Sequence, residues 1–256
     1  IKGVPVSFVL HGVEAWKRYP PLARWVFKGA VFLAVSRYTA ERFLHLNRLS
    51  APWHLLPPAL DPDFGTHPAR LRILDPYIVT VARLSSDAAY KGVDLVIQAL
   101  ARLREDFPRL HYLVVGGGDL LPGYHQLARR LGIGERVHFL GERREVAPFL
   151  AGARLFLLVS QGEGFGISFL EAMYFRKPLL GARAGGIPEV VRHGQNGLLV
   201  PYGDLEALTA ALQELLTQKE MARQMGETGF RILQEEYVYP RFRERLRRIL
   251  GELGWV

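Results

Sequence analysis

Strand-sized apolar runs alternate with helix-patterned stretches along most of this chain, and such alternation restricts it to a parallel sheet with crossover helices. Tyr77–Ala82, His111–Val115, Val137–Leu140, Leu155–Val159, Pro178–Gly181 and Leu198–Val200 read as strands. Between the first two, Val93, Val96, Ile97, Leu100 and Leu103 follow the three-and-four spacing of an amphipathic helix, and Ile167–Phe175 and Leu205–Leu216 repeat it. These elements predict one doubly wound α/β domain over residues ~72–218, with ligands beyond the carboxyl ends of its strands. Residues 1–60 offer only Pro5–Leu10 and Val31–Val35 as strands, followed by a helix for which Ser36 is the N-cap. That is the last third of a second such domain. A Pro-rich stretch from Pro57 to Asp63 reads as a stiff hinge, and the tail from Lys219 to Leu253 as two helices broken near Pro240.

With 49% hydrophobic and 23% charged residues in 256, the chain has a real apolar core and is not disordered. Its longest apolar runs, such as Leu155 to Val159, fall far short of the ~20 residues a membrane-crossing helix needs. Val6 to Leu10 is too short for a signal peptide, and the start at Ile1 reads as a fragment or a chain with residues upstream. Without Cys, the chain has no disulfide, thiolate nucleophile or zinc–thiolate site. The net charge of +8 is skewed, since residues 1–60 hold eight Lys or Arg against only Glu14 and Glu41. A patch such as Lys17, Arg18, Arg24 and Lys28 suits anionic lipid headgroups or nucleic acid, and equally a solvated basic face. The aromatic residues do not form the interleaved basic platform of a nucleic-acid binder, so no nucleic-acid partner is expected.

Two segments carry chemistry. In the first, Arg83 ends a strand and Lys91 starts the next helix, so that two cations meet the free N–H groups and dipole of a helix start, a combination suited to a diphosphate. Alone, the pair also fits a surface Arg and a solvated Lys. In the second, Ser160-Gln161-Gly162-Glu163-Gly164-Phe165-Gly166-Ile167 follows the most apolar strand and opens a helix that carries Glu171 roughly two turns in. Gly164 and Gly166 let the backbone approach a ligand closely, and two carboxylates can grip two hydroxyl-bearing parts of it. Glu171 lies among Phe169, Leu170, Ala172 and Met173, where a carboxylate without a partner is costly, so a ligand accounts for it best.

At these residues the chain resembles the retaining glycosyltransferases of the GT-B fold that carry an E-x7-E signature. The resemblance extends to Arg83-Leu84, Tyr90-Lys91-Gly92, Phe139-Leu140-Gly141, Gly185-Gly186-Ile187-Pro188-Glu189, Asn196-Gly197-Leu198 and the amino-terminal Leu10-His11-Gly12-Val13-Glu14. It implies an α/β fold of GT-B type, with a complete C-terminal Rossmann-like domain and the last part of an N-terminal one. Residues 1–60 would be the partial acceptor-side domain and hinge, 61–235 the nucleotide-sugar-binding domain, and 236–256 a helix packing back on the amino-terminal part. It implies transfer of a hexosyl group, with retention, from a UDP- or GDP-sugar to a glycan or lipid-linked acceptor. The alternative is a truncated nucleotide-sugar-binding module without turnover.

By the same resemblance, Arg83 and Lys91 hold the donor pyrophosphate, Glu163 contacts the donor sugar, Gly164, Phe165, Gly166 and Ile167 supply backbone contacts, Glu171 binds the ribose, and Arg143 lines the base. His11 would contact the transferring sugar or the acceptor. Glu163, His11, Arg83 and Lys91 are thus the candidate catalytic set, with no nucleophile assigned. No cofactor or metal is expected, and the implied setting is cytoplasmic, either free or peripheral at the inner face of the membrane. Asp61-Pro62-Asp63 imitates a D-x-D metal motif but lies in the hinge, and Gly116-Gly117-Gly118 lacks the spacing of a dinucleotide fingerprint and reads as a strand-to-loop turn.

Overall fold

Two parallel sheets organise the chain in the computed structural model, which describes residues 6–65 and 76–255. The smaller consists of β1 (Ser7–Leu10), β2 (Val31–Ala34) and β3 (Trp53–Leu55) in that spatial order, with α1 (Pro21–Phe27) and α2 (Arg37–Asn47) as crossovers. Ser36 caps α2 as expected, its side chain accepting a hydrogen bond from the Thr39 amide. Of the predicted strand Pro5–Leu10, Pro5 lies outside the described residues. Phe8, Phe27, Phe32 and Phe43 stack edge-to-face and tilted into the core of this part.

The larger sheet comprises β4 (Tyr77–Val81), β5 (His111–Val115), β6 (Val137–Phe139), β7 (Phe156–Leu158), β8 (Leu179–Ala182) and β9 (Gly197–Val200). Their order across the sheet is β6-β5-β4-β7-β8-β9, all parallel. The chain winds outward from β4 in one direction and then from β7 in the other, so the switch point lies between those two strands, where open α/β sheets bind ligands. The central strands are continuous apolar runs because helices cover both faces. These helices are α3 (Val93–Arg102), α4 (Leu121–Arg130), α5 (Ala147–Gly152), α6 (Ile167–Tyr174), α7 (Ile187–Val190), α8 (Leu205–Thr217) and α9 (Lys219–Glu236).

The break in the tail falls at Tyr237 and Val238, and Pro240 sits in the first turn of α10 (Tyr239–Glu252), where its missing N–H costs nothing. Ile249 of α10 is buried against Leu33 of β2 and Leu56, so the last helix packs on the smaller sheet. Among the described residues no helix is long and apolar enough to cross a membrane.

Candidate active site

The loops that follow β4 and β7 border the switch point, and between them they hold the predicted site. After β4, Arg83 is exposed and its Nη2 donates to Asp87 Oδ2 at 3.1 Å. A 3-10 turn over Ser86–Lys91 follows, so Lys91 closes that turn, one residue before the Gly92 cap of α3, rather than starting the helix as the sequence pattern predicts. The displacement points the ammonium at the opposite loop. Lys91 Nζ donates to Glu163 Oε1 at 2.6 Å, with side-chain exposures of only 15% and 12%.

Ser160 Oγ donates to the same Glu163 oxygen at 2.7 Å. Tyr90, which sequence reasoning did not assign, lies under the Lys91 ammonium at 5.1 Å from its ring centre, and its backbone carbonyl accepts from the Gln161 amide at 2.8 Å. Burial, and then the Glu163 charge, push its phenol pKa up while Arg83 pulls it down, which places both groups in one electrostatic crevice. The sign that could have singled out Ser160 is its position three residues before Glu163 at the end of a buried strand.

Glu171 is the fifth residue of α6, a little over one turn in. Burial alone raises its pKa from 4.5 to about 7, and no hydrogen bond or ion pair reaches its carboxyl among the described residues. The Gly164–Ile167 stretch leads into α6 with Gly166 at the cap and no side-chain capping bond, so the first amides of the helix remain available to an anion. Phe165 turns its ring away from this crevice into the core beside Tyr237, at 5.5 Å between ring centres, whereas Ile167 is exposed at the helix entrance. Arg143 is exposed in the loop beyond β6. The Gly116-Gly117-Gly118 turn runs beside the Arg83 loop, where the Leu84 amide donates to the Gly117 carbonyl at 2.8 Å.

The smaller sheet closes on this crevice through the loops at its own carboxyl end. His11 follows β1 and is exposed, and Glu14 Oε1 steadies its turn by accepting from the amides of His11 (2.9 Å) and Gly12 (2.6 Å). Gly164 lies directly on that turn. A Cβ added there would run into the His11 carbonyl and come within 2.8 Å of Gly12 Cα, both rigid backbone. Gly164→Ala is therefore expected to force the His11 turn and the Glu163 loop apart and to cost about 1–3 kcal/mol of stability, as overpacking does. A melting temperature equal to that of the parent would show that the two loops separate freely. In the hinge, Asp61 Oδ1 accepts a hydrogen bond from the Asp63 amide at 2.9 Å.

Residues 68–231 match the family described as glycosyl transferases group 1. The GDP-mannose-dependent alpha-(1-6)-phosphatidylinositol monomannoside mannosyltransferase of Mycolicibacterium smegmatis is 34% identical over 242 residues, an alignment covering 86% of this chain and 63% of that protein. The N-acetyl-alpha-D-glucosaminyl L-malate synthase of Bacillus anthracis is 39% identical over 160 residues, covering 62% of this chain and 40% of that protein. The chain thus spans less than two thirds of the length of both curated relatives. Among solved structures, Anabaena HepE in complex with UDP and glucose superposes with a TM-score of 0.84 at 24% identity, covering 97% of this chain and 72% of that one. The glycosyltransferase WaaG, involved in lipopolysaccharide biosynthesis, gives 0.75 at 23% identity, covering 88% and 64%. These likenesses show the fold: two facing Rossmann-like parallel sheets with a cleft between their carboxyl ends, the GT-B arrangement. With the family match running through both loops of the crevice and most of the larger sheet, this chain belongs to the group 1 glycosyl transferases.

Proposed function

We propose that this chain binds a UDP- or GDP-sugar between its two sheets and transfers the hexosyl group, with retention of configuration, to a glycan or lipid-linked acceptor. The observation that carries the reading is Glu171, a largely buried carboxylate with no partner among the described residues, in the helix that opens beside the Lys91–Glu163 pair. Ribose hydroxyls would supply the hydrogen bonds it lacks and favour its ionised form. Arg83, Lys91 and the first amides of α6 then face the diphosphate, where they stabilise the negative charge that develops as the nucleoside diphosphate departs. Glu163, turned towards this charge by Lys91 and Ser160, keeps its second oxygen for the donor sugar.

His11, presented on the opposite side of the cleft by the Glu14-held turn, contacts the sugar or the acceptor. Because the two cations and the helix start supply positive charge, the reaction is written without a metal, and front-face attack by the acceptor hydroxyl requires no protein nucleophile. A lipid-linked acceptor agrees with α1, where Leu22 and Trp25 are 78% and 71% exposed beside the basic residues Lys17, Arg18 and Lys28.

Thermal-shift measurements with millimolar UDP, GDP and ADP, each without and with magnesium, test the donor site. A ligand present at 100 times its Kd stabilises the folded state by about 2.7 kcal/mol. One diphosphate is expected to raise the melting temperature, with or without magnesium. No shift with any of the three would overturn the donor-site reading, and a shift that needs magnesium would overturn its metal independence.

A further inference from the structure

Glu189 belongs to α7, beyond β8 in the larger sheet, yet its carboxylate completes a helix of the smaller one. Oε2 accepts from the Arg37 amide at 2.9 Å and Oε1 from the Tyr38 amide at 3.0 Å, contacts that span 152 and 151 positions of sequence. These are the first two N–H groups of α2, which no carbonyl of the helix can take and which carry its positive dipole end, so a carboxylate is their preferred partner. Of the helix amides Ser36 Oγ accepts from that of Thr39 alone, at 3.1 Å, while donating to the Thr39 hydroxyl at 3.0 Å. The cap of α2 is therefore shared between a local side chain and one from across the cleft.

The same residues hold the loop that carries Glu163. The Gly186 amide, three positions before Glu189, donates to the Glu163 carbonyl at 2.8 Å. A Cβ on Gly186 would strike the Gly164 carbonyl and lie 3.1 Å from Ser36 Oγ, so glycine alone permits this approach. From the other side, Thr39 Oγ1 donates to the Gly164 carbonyl at 3.3 Å. The Tyr237 hydroxyl donates to the Glu189 carbonyl, also at 3.3 Å, which ties the junction to the end of α9.

We infer that Glu189 is a positioning residue that fastens the amino end of α2 to the Glu163–Gly164 loop, so that the amino-terminal part and the sugar-facing carboxylate move as one body. This rests on the reading of that loop as part of the donor site. Glu189 touches no reacting atom. It sets where Glu163 and Gly164 stand relative to the His11 turn, and its loss lets the two halves of the cleft drift independently.

Hydrogen exchange of the full chain without nucleotide tests the link, comparing the parent with Glu189→Ala and Glu189→Gln. In the Ala variant, exchange at Arg37 and Tyr38 is expected to rise about tenfold or more, as loss of a hydrogen bond to a charged group implies. Exchange across residues 160–166 is expected to rise with it, while β5 stays protected. The Gln variant keeps the side chain's volume and one acceptor oxygen, and should restore part of the protection at both places. If residues 37 and 38 open but 160–166 do not, Glu189 is a helix cap only and the inference fails. It fails equally if neither segment changes. Should Glu189→Ala loosen β5 as well, the Gln variant decides by the same comparison. Nucleotide binding plays no part in this readout, so a failed donor-site reading and a failed link are separate results.

Discussion

Glu171→Gln is expected to make the ligand-free protein more stable at pH 8 and its nucleotide binding weaker. The folded-state pKa of Glu171 is raised to about 7 from 4.5 by burial alone. Below the lower value the carboxyl is protonated in both folded and unfolded chains and costs nothing. As the pH rises from there to about 7, the unfolded chain releases the proton more readily than the folded one, and stability is lost. Above about 7 the full cost persists, on the order of 3 kcal/mol at 1.36 kcal/mol per pKa unit. A neutral amide of the same shape escapes that cost, so the melting temperature at pH 8 should rise by roughly 5–10 °C for a chain of this size, and should be unchanged near pH 4.

On the proposed reading of the donor site, the same substitution removes the charged acceptor for the ribose diol. Nucleoside diphosphate affinity should fall about 10- to 100-fold, the worth of hydrogen bonds to a charged group. In the parent, hydroxyls that bond the ionised carboxylate pull its pKa back down, so affinity should weaken as pH falls below about 7. Calorimetry and thermal melts at pH 4 and pH 8 check both halves. A variant no more stable at pH 8 would mean that Glu171 already has adequate solvation, and unchanged affinity would remove it from the ribose site.

Lys91→Met should destabilise the protein by about 3 kcal/mol, since removing one member of a buried ion pair strands the other charge. The pair is 2.6 Å long and nearly excluded from solvent, and Glu163 would keep only the Ser160 hydroxyl. Adding Glu163→Gln to Lys91→Met should recover most of that loss, because no buried charge then remains. Denaturant unfolding of the two single variants and the double variant completes the cycle. Additive losses would mean that the ion pair does not form in solution. On the proposed reading of the donor site, both single variants are also expected to abolish hexosyl transfer, each removing a group assigned to the reacting part of the donor.

The elements most fully legible in the sequence were those with uniform burial. The strand at His111–Val115 was predicted to the residue, because a strand covered on both faces must be apolar throughout. Ser36 announced α2 through its own chemistry as a cap. By contrast, α1 gave no clear periodicity, since it leaves Leu22, Trp25 and Val26 in solvent and buries Phe27, and the three residues of β3 lie in a Pro-bounded stretch too short to pattern. Glu163 and Glu171 were readable as candidates from their Gly-rich and apolar surroundings. That Glu171 has no partner, and that Glu163 has two, could not be read there.

What the sequence by itself determined is therefore the kind of fold and the identity of the chemical groups: parallel α/β, a cation-bearing loop, a glycine-rich loop and two carboxylates. Side-chain periodicity and cap chemistry act over one turn or one strand, and those features are local. Tertiary structure alone decided the strand order that places β4 beside β7, the pairing of Lys91 with Glu163 across 72 positions, and the reach of Glu189 to the start of α2. The physical reason is that a pattern of apolar residues states which face of an element is buried but not against what. Partners are settled only when all the elements pack at once, and in this chain it is those partners that bring the charged groups together in the cleft.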